Sequence, residues 1–422
     1  MRVLVYPHAM EIGGSQINAV QIAGAVRDRG HEVIVLSEPG PMVDRVRELG
    51  LEHLEIPFRR GEPSAWVRAE LNRVVRDRRV DIVHGYEWAP VIEAYFGPKL
   101  HYSVPVIGTI MSMSVVWFFP RTIPLIVGTE EIRDDAIAAG HRRVTLLEPP
   151  VDTETDDPGL VNGMEFRAEH GIEDDETLVV IVSRLVSVLK FEGLRMACEA
   201  VGQLASTHRV RLVIVGGGPM YDQLAAHAKR ANAAVGRRVV ALAGEMIDPR
   251  PAYAAADVVV GMGGSALRGL AFGKPLVVVG EEGFSEMLTP SNVSTFLRQG
   301  WYGRGPGSMG SGTPALRDAL QRLIAFPELR QELGKSSRQL VIERFSLDHA
   351  AKVQETEYIA AARANIPAIT RSKDFVCTAA GLSARIMRRR YPTLTGAWLS
   401  PLLKTYRSRF LGPAGTALRQ DF

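Results

Sequence analysis

Cysteine is nearly absent from this 422-residue chain, which has only Cys198 and Cys377, far apart in sequence. Two such residues build neither a disulfide framework nor a zinc cluster. Each reads as a buried or incidental thiol. No apolar run reaches the ~18 to 20 residues that a membrane-crossing helix needs. The chain enters a strand-like run at Arg2 without the charged and apolar pattern of a secretion signal, so a cytoplasmic protein is expected. Net charge is also small, +3, which argues against a nucleic-acid partner. That charge is unevenly spread. Residues 366–422 carry ten Arg or Lys against Asp374 and Asp421, a net +8, so residues 1–365 carry −5 of the total +3. A hydrophobic share of 46% and a charged share of 23% describe a globular chain and exclude disorder. Its length suits two or three domains.

Short β-branched runs alternate with helix-period segments. The run at Arg2–Pro7 is followed by Gly13-Gly14-Ser15, a helical stretch over Gln16–Arg29, a stop at Gly30 and a second apolar run at His31–Ser37. Further strands are predicted at Asp81–His84, Val104–Ile110, Pro124–Gly128 and Arg143–Leu147. Such alternation requires crossover helices and hence a parallel sheet covered on both faces. Prolines, aspartates and glycines crowd Glu148–Gly171, which reads as a linker. A second alternation then runs from Thr177 to Val279, followed by a helical pattern over Pro314–Ala362. The expected organisation is α/β, with two Rossmann-like doubly wound parallel-sheet domains and a cleft between them. The domains fall at residues 1–150 and 173–345, with a linker at 151–172. Residues 346–422 form C-terminal helices and a basic tail that pack back on the first domain.

Several loops at predicted strand ends carry candidate ligand-binding residues. Gly13 and Gly14 precede a helix, where free N–H groups suit a phosphate or sugar oxygen, although a tight turn without a ligand explains them equally well. Arg184 follows a strand and Lys190 stands just ahead of a helix. Alone, Lys190 reads as a solvated helix-start residue; with Arg184 it makes a pair of cations suited to a diphosphate. Gly216, Gly217 and Gly218 form another strand-to-helix turn, without the spacing of a dinucleotide fingerprint. Gly244, Glu245 and Met246 follow the next strand. Gly263, Gly264 and Ser265 open a helix containing Leu267 and Arg268, whose N–H groups and added charge suit a phosphate. A structural salt bridge is the other reading of Arg268.

The order and spacing of seven segments resemble retaining GT-B glycosyltransferases, specifically glycosyltransferase family 4, over residues 1 to about 360. These segments are GGSQINAVQIAGAVRDRGHEVIVL, DIVHGYE at Asp81, SRLVSVLKFEGL at Ser183, LVIVGGGP at Leu212, VVALAGEM at Val239, YAAADVVV at Tyr253 and LAFGKPLVV at Leu270. The resemblance implies a nucleoside-diphosphate sugar donor, retention of configuration, no required metal and no other cofactor. Arg184 and Lys190 would bind the donor diphosphate and stabilise the departing charge. Glu245 and Met246 would lie by the nucleobase, and Gly13 and Gly14 by the donor phosphates or sugar.

The chain departs from that pattern where Arg268 occupies the second position of the family's Glu-x7-Glu, and the first is missing. Glu281, Glu282 or Glu286 is then a substitute for the ribose contact. Acceptor contacts are expected from His84, Glu87, Trp88, Met111, Ser112 and Met113, and a small natural-product acceptor would suit Trp88, Trp117 and the methionines. The alternative is a peripheral membrane transferase acting on a lipid or polysaccharide. Ala384–Arg390 and Leu402–Phe410 mix Arg with apolar residues, which allows either contact with a membrane surface or a homodimer contact. A sugar-nucleotide epimerase of the same fold and an inactive binding homologue are the remaining readings.

Overall fold

The computed structural model describes residues 1–57, 63–112 and 114–391. Met113 and the Leu402–Phe410 stretch lie outside them. The chain divides into two compact units, Met1–Glu148 with the chain from Leu347 onward, and Pro149–Ser346.

The first unit is built on seven strands. They are β1 (Arg2–Tyr6), β2 (Glu32–Ser37), β3 (Glu52–Glu55), β4 (Ile82–Tyr86), β5 (Val106–Ile110), β6 (Leu125–Val127) and β7 (Val144–Leu146). Their spatial order is β3-β2-β1-β4-β5-β6-β7, and every pairing is parallel. The apolar runs at β1, β4 and β5 are buried along almost their whole length, as a sheet covered on both faces requires. Edge strand β3, with the sequence EHLE, has no apolar run and was not foreseen. Its polar composition suits an exposed edge.

After leaving the second unit, the chain returns to the first. Helix Leu347–Arg363 packs on helix Gly14–Asp28, and Ala350, Ala351 and Tyr358 share a core with Val20 and Ala23. Glu355 is held by Arg29 Nε at 2.8 Å and by His31 Nε2 at 2.9 Å. The last described helix, Ala368–Arg390, is fixed by its one acidic residue. Asp374 is buried and accepts hydrogen bonds from the backbone N–H groups of Arg121 at 2.8 Å and Thr122 at 3.1 Å. Two turns further on, Gly381 lies flat on Phe118, whose Cβ stands 2.3 Å from where a side chain at this position would begin.

The second unit contains β8 (Thr177–Val182), β9 (Val210–Val215), β10 (Val240–Gly244), β11 (Val258–Gly261), β12 (Leu276–Val279) and β13 (Ser285–Met287), in the order β10-β9-β8-β11-β12-β13. Only β13 runs antiparallel, and it too was invisible as an apolar run. Cores form on both faces of the sheet. The segment expected to link the domains belongs to this unit. Val151 donates its N–H to Phe345 O at 2.8 Å, Phe166 is buried, and Asp157 pairs with Arg338 at 2.7 Å. Its turn residues are spent on local order: Asp152, Asp157 and Asn162 accept backbone N–H groups two or three residues ahead. Cys198 and Cys377 are both free, one in each unit, and burial pushes the Cys198 thiol up to about 12. No described helix is long and apolar enough to cross a membrane.

Replacing Asp374 with Ala leaves two partly buried N–H groups without this acceptor and is expected to lower unfolding free energy by about 2 to 4 kcal/mol. Urea denaturation would register this, together with new protease cleavage in the Ala368–Arg390 helix. An unchanged midpoint would mean that this carboxylate does not hold the helix.

Candidate functional site

In the second unit, three loops at the carboxyl ends of β8, β9 and β10 are bonded into one surface. Gly216 N–H donates to Gly244 O at 2.7 Å, Leu185 N–H to Gly217 O at 2.8 Å, and Met220 N–H to Leu185 O at 2.9 Å. Glycine is obligatory here. Gly216 has φ +146° and a Cβ on it would stand 1.9 Å from Ser183 O, while Gly218 has φ +144° with Leu185 O at 2.5 Å from the same position. The turn that could have been merely flexible is therefore a flush seat for the Ser183–Leu185 backbone.

Arg184 and Lys190 leave this seat. Arg184 is exposed, Lys190 is half-buried, and neither makes an ion pair among the described residues. The Lys190 ammonium is lowered to about 8, first by burial and then by repulsion from Arg184. Leu189, just before it, has φ +66°, a strained conformation for a branched side chain. Two cations held together without a counter-charge form a receptor for an anion. A further contributor was not foreseen. Glu192, in the turn after Lys190, accepts the N–H groups of Glu282 and Gly283, both at 2.9 Å, and so ties the loop after β12 to the lysine's helix. An acidic residue in a helix's first turn hints at such capping, but its partners 90 residues away give no local signal.

Other expectations for this unit need correction. Leu267 is fully buried in the core, because its place one turn into helix Gly264–Ala271 points it inward. Arg268 is not a free third cation. Its Nε lies 3.3 Å from Asp156 Oδ2, a carboxylate that is raised by burial despite this neighbour. Glu282 pairs with Arg304 at 2.7 Å, while Glu281 accepts from Tyr302 and Glu286 from Ser308 Oγ at 2.6 Å, so all three substitutes for the ribose carboxylate are engaged. Met246 packs on the core, whereas Glu245 is exposed and overhangs Gly217. Gly263 has φ +57° and donates to Trp301 O at 2.8 Å, and Ser265 Oγ donates to Met262 O at 2.9 Å. No neighbour lies within 4 Å of a Cβ built on Gly264.

The first unit has its own cluster, at the carboxyl ends of β4 and β5. Glu87, with φ +68°, is buried and accepts from Met111 N–H at 3.0 Å, Ser112 Oγ at 2.8 Å and Ser15 Oγ at 3.2 Å. It thereby joins the Gly13-Gly14-Ser15 loop to Met111 and Ser112. Ser15 was not foreseen. His84 does not face a ligand. It is fully buried, its Nε2 lies 2.7 Å from Thr109 Oγ1, and its Nδ1 lies 2.8 Å from Tyr358 Oη and 2.9 Å from Gln354 Nε2. Burial lowers it to about 3 and keeps it neutral. Trp88 is covered by Arg385 at 4.7 Å and meets Phe118 edge-on at 5.7 Å, so it is a packing residue. Among the described residues no three His, Cys, Asp or Glu side chains converge as a metal site.

Known proteins resemble this chain in both halves. Residues 12–155 match the profile described as "Glycosyltransferase Family 4" and residues 176–300 the one described as "Glycosyl transferases group 1", together well over half of the chain. A protein of Methanocaldococcus jannaschii, described as an uncharacterized glycosyltransferase, is 27% identical over 198 residues, 45% of this chain and 46% of that protein. The chain therefore aligns with under half of that relative's length. A glycosyltransferase from Rickettsia africae superimposes with TM-score 0.71 at 15% identity, covering 86% of this chain and 99% of the other. Anabaena HepE, solved in complex with UDP, gives TM-score 0.67 at 14% identity over 86% and 100%. At these identities the two structures speak for the fold. With both profiles in the order of the two units, the chain is a glycosyltransferase of the family 4 type with the GT-B fold.

Proposed function

We propose that this enzyme moves a sugar with retention of configuration from a nucleoside diphosphate to an acceptor hydroxyl, Arg184 and Lys190 holding the donor diphosphate. The observation that carries the proposal is the pair of adjacent cations without a counter-ion among the described residues, set on a glycine seat at the carboxyl ends of β8 and β9. Negative charge grows on the diphosphate as the glycosidic bond breaks, so fixed cations there stabilise the transition state more than the ground state. Complexes of the Anabaena protein with UDP make a uridine nucleotide the first donor to try. By family resemblance the departing phosphate serves as the base, so neither a side-chain nucleophile nor a metal is required.

On the acceptor side, Ser15, Glu87 and Ser112 supply hydrogen-bonding groups for a sugar or alcohol hydroxyl. The case for a small aromatic acceptor weakens. Trp88 and Trp117 both spend their rings on Phe118, and Gly381 packs against Trp117. A hydroxyl acceptor is the statement best supported by the remaining groups.

Lys190→Met is expected to move activity and stability in opposite directions. Transfer should fall at least 100-fold, the equivalent of about 2.7 kcal/mol. At pH 7, stability should rise by on the order of 2 kcal/mol, allowing for the lysine's partial exposure. The sign follows from linkage: between about 8 and the ordinary 10.5 the unfolded chain binds a proton that the folded chain releases, so below 8 the folded state carries the full penalty. A variant that loses stability together with activity would make Lys190 a structural residue.

Donor affinity should also weaken as pH rises through about 8, because the lysine loses the charge that attracts the diphosphate. Titration calorimetry with UDP from pH 6.5 to 9.5 tests this, and a flat profile would remove Lys190 from the donor site. In a thermal-shift screen, the correct nucleotide at 100 times its Kd should add about 2.7 kcal/mol to stability. Absence of a shift with uridine, guanosine and thymidine diphosphates alike would overturn the donor assignment.

A further inference from the structure

Helix Ala368–Arg390 has two faces with different obligations. Asp374, Thr378, Gly381 and Arg385 lie on one side, at spacings of three and four residues, and this side is docked on the first unit. Thr378 is buried there, and Arg385 lies over Trp88. The opposite side carries Ile369, Val376, Ala380 and Met387, again at helical spacing. Ile369 is 79% exposed, Val376 62% and Met387 45%, so a line of large apolar side chains about five turns long points into solvent. Single exposed apolar residues are ordinary; an aligned stripe opposite a fixed docking face is not. Packing of this fold does not account for it, because the helix is already anchored by its other side.

The exposed charges of this helix are all positive. Arg371, Arg388 and Arg390 make no ion pair among the described residues, and the helix's only acid, Asp374, is turned inward and occupied. Lys373 and Arg389 add to the same sign. The apolar surface continues beyond the helix: Phe375 meets Phe96 at 5.6 Å, and the turn carrying Phe96 leads to exposed Leu100 and Tyr102. An apolar stripe on a helix whose exposed charges are all cationic complements an anionic interface whose interior is hydrocarbon. A second protein copy presenting this same surface would set like charges against each other.

We infer that the outer face of helix Ala368–Arg390 docks the enzyme on an anionic phospholipid bilayer, with Ile369, Val376 and Met387 entering the acyl boundary and the arginines meeting lipid phosphates. This inference rests on the first unit alone and stands apart from the donor assignment, so either can fail without the other. Flotation of the full chain with phosphatidylcholine vesicles, with and without phosphatidylglycerol, at low and high salt tests it. Binding is expected only with phosphatidylglycerol and should weaken about tenfold at high salt. Val376→Glu with Met387→Glu should weaken it at least about tenfold while melting temperature stays unchanged, since both residues face solvent. Arg371, Arg388 and Arg390 changed together to Gln should remove the preference for phosphatidylglycerol. Absence of flotation would overturn the inference, as would undiminished binding by the double Glu variant, which would assign binding to residues beyond 391. A parent chain that stays off vesicles but sediments as a dimer, and that the double Glu variant turns into a monomer, would overturn it in favour of self-association.

Discussion

Lys190 is held partly out of water beside Arg184, an arrangement that water and Coulomb repulsion both oppose. The second unit supplies what keeps it there. The three-glycine turn after β9 gives the Ser183–Leu185 backbone a surface without side chains to lie on, and Leu189 accepts a left-handed conformation to bring the lysine to its helix. Glu192 then ties that helix to the loop after β12. The left-handed leucine costs about 1 to 3 kcal/mol, which the buried cores on both faces of the sheet can carry. An anionic ligand relieves the repulsion between the two cations, which favours its binding.

The first unit solves a different problem with one carboxylate. Glu87 gathers three loops because a carboxylate can accept several hydrogen bonds at once, and its positive φ turns the chain from β4 into the following helix at that point. Behind it, His84, Thr109, Gln354 and Tyr358 form a buried polar network in which β4 and β5 meet the returning helix. Neutral histidine is the form such a site can hold, since an imidazolium there would lack a counter-charge.

Much of this was legible in the chain, for identifiable reasons. Fully buried parallel strands are unbroken apolar runs, so β1, β2, β4, β8 and β9 announce themselves, and glycines at strand ends announce the seat beneath Arg184. Edge strands β3 and β13 do not: β3 carries water-facing charges at both ends, and β13 is three residues long with Glu286 at its centre. Proline and aspartate crowding at residues 148–171 looks like a linker because composition reports turns, not whether the turns are packed. The fates of Arg268 and His84 depend on Asp156 and Tyr358, more than 100 residues away in each case, and pairings of that range leave no local trace. The burial of Leu267 is legible locally, since its helical position beside Ala266 and Leu270 indicates an inward face.

The return of the chain at Leu347 sets an order on biosynthesis. The core of the first unit includes Ala350, Ala351 and Tyr358, so residues 1–148 emerge from the ribosome lacking part of their own interior. Pro149–Ser346 is continuous and has everything it needs once it has emerged, so it matures while the earlier segment is still waiting. Until the last helices arrive, the surface of Gly14–Asp28 that will receive them is exposed, and a chain truncated before Leu347 would keep a finished second unit on an unfinished first one.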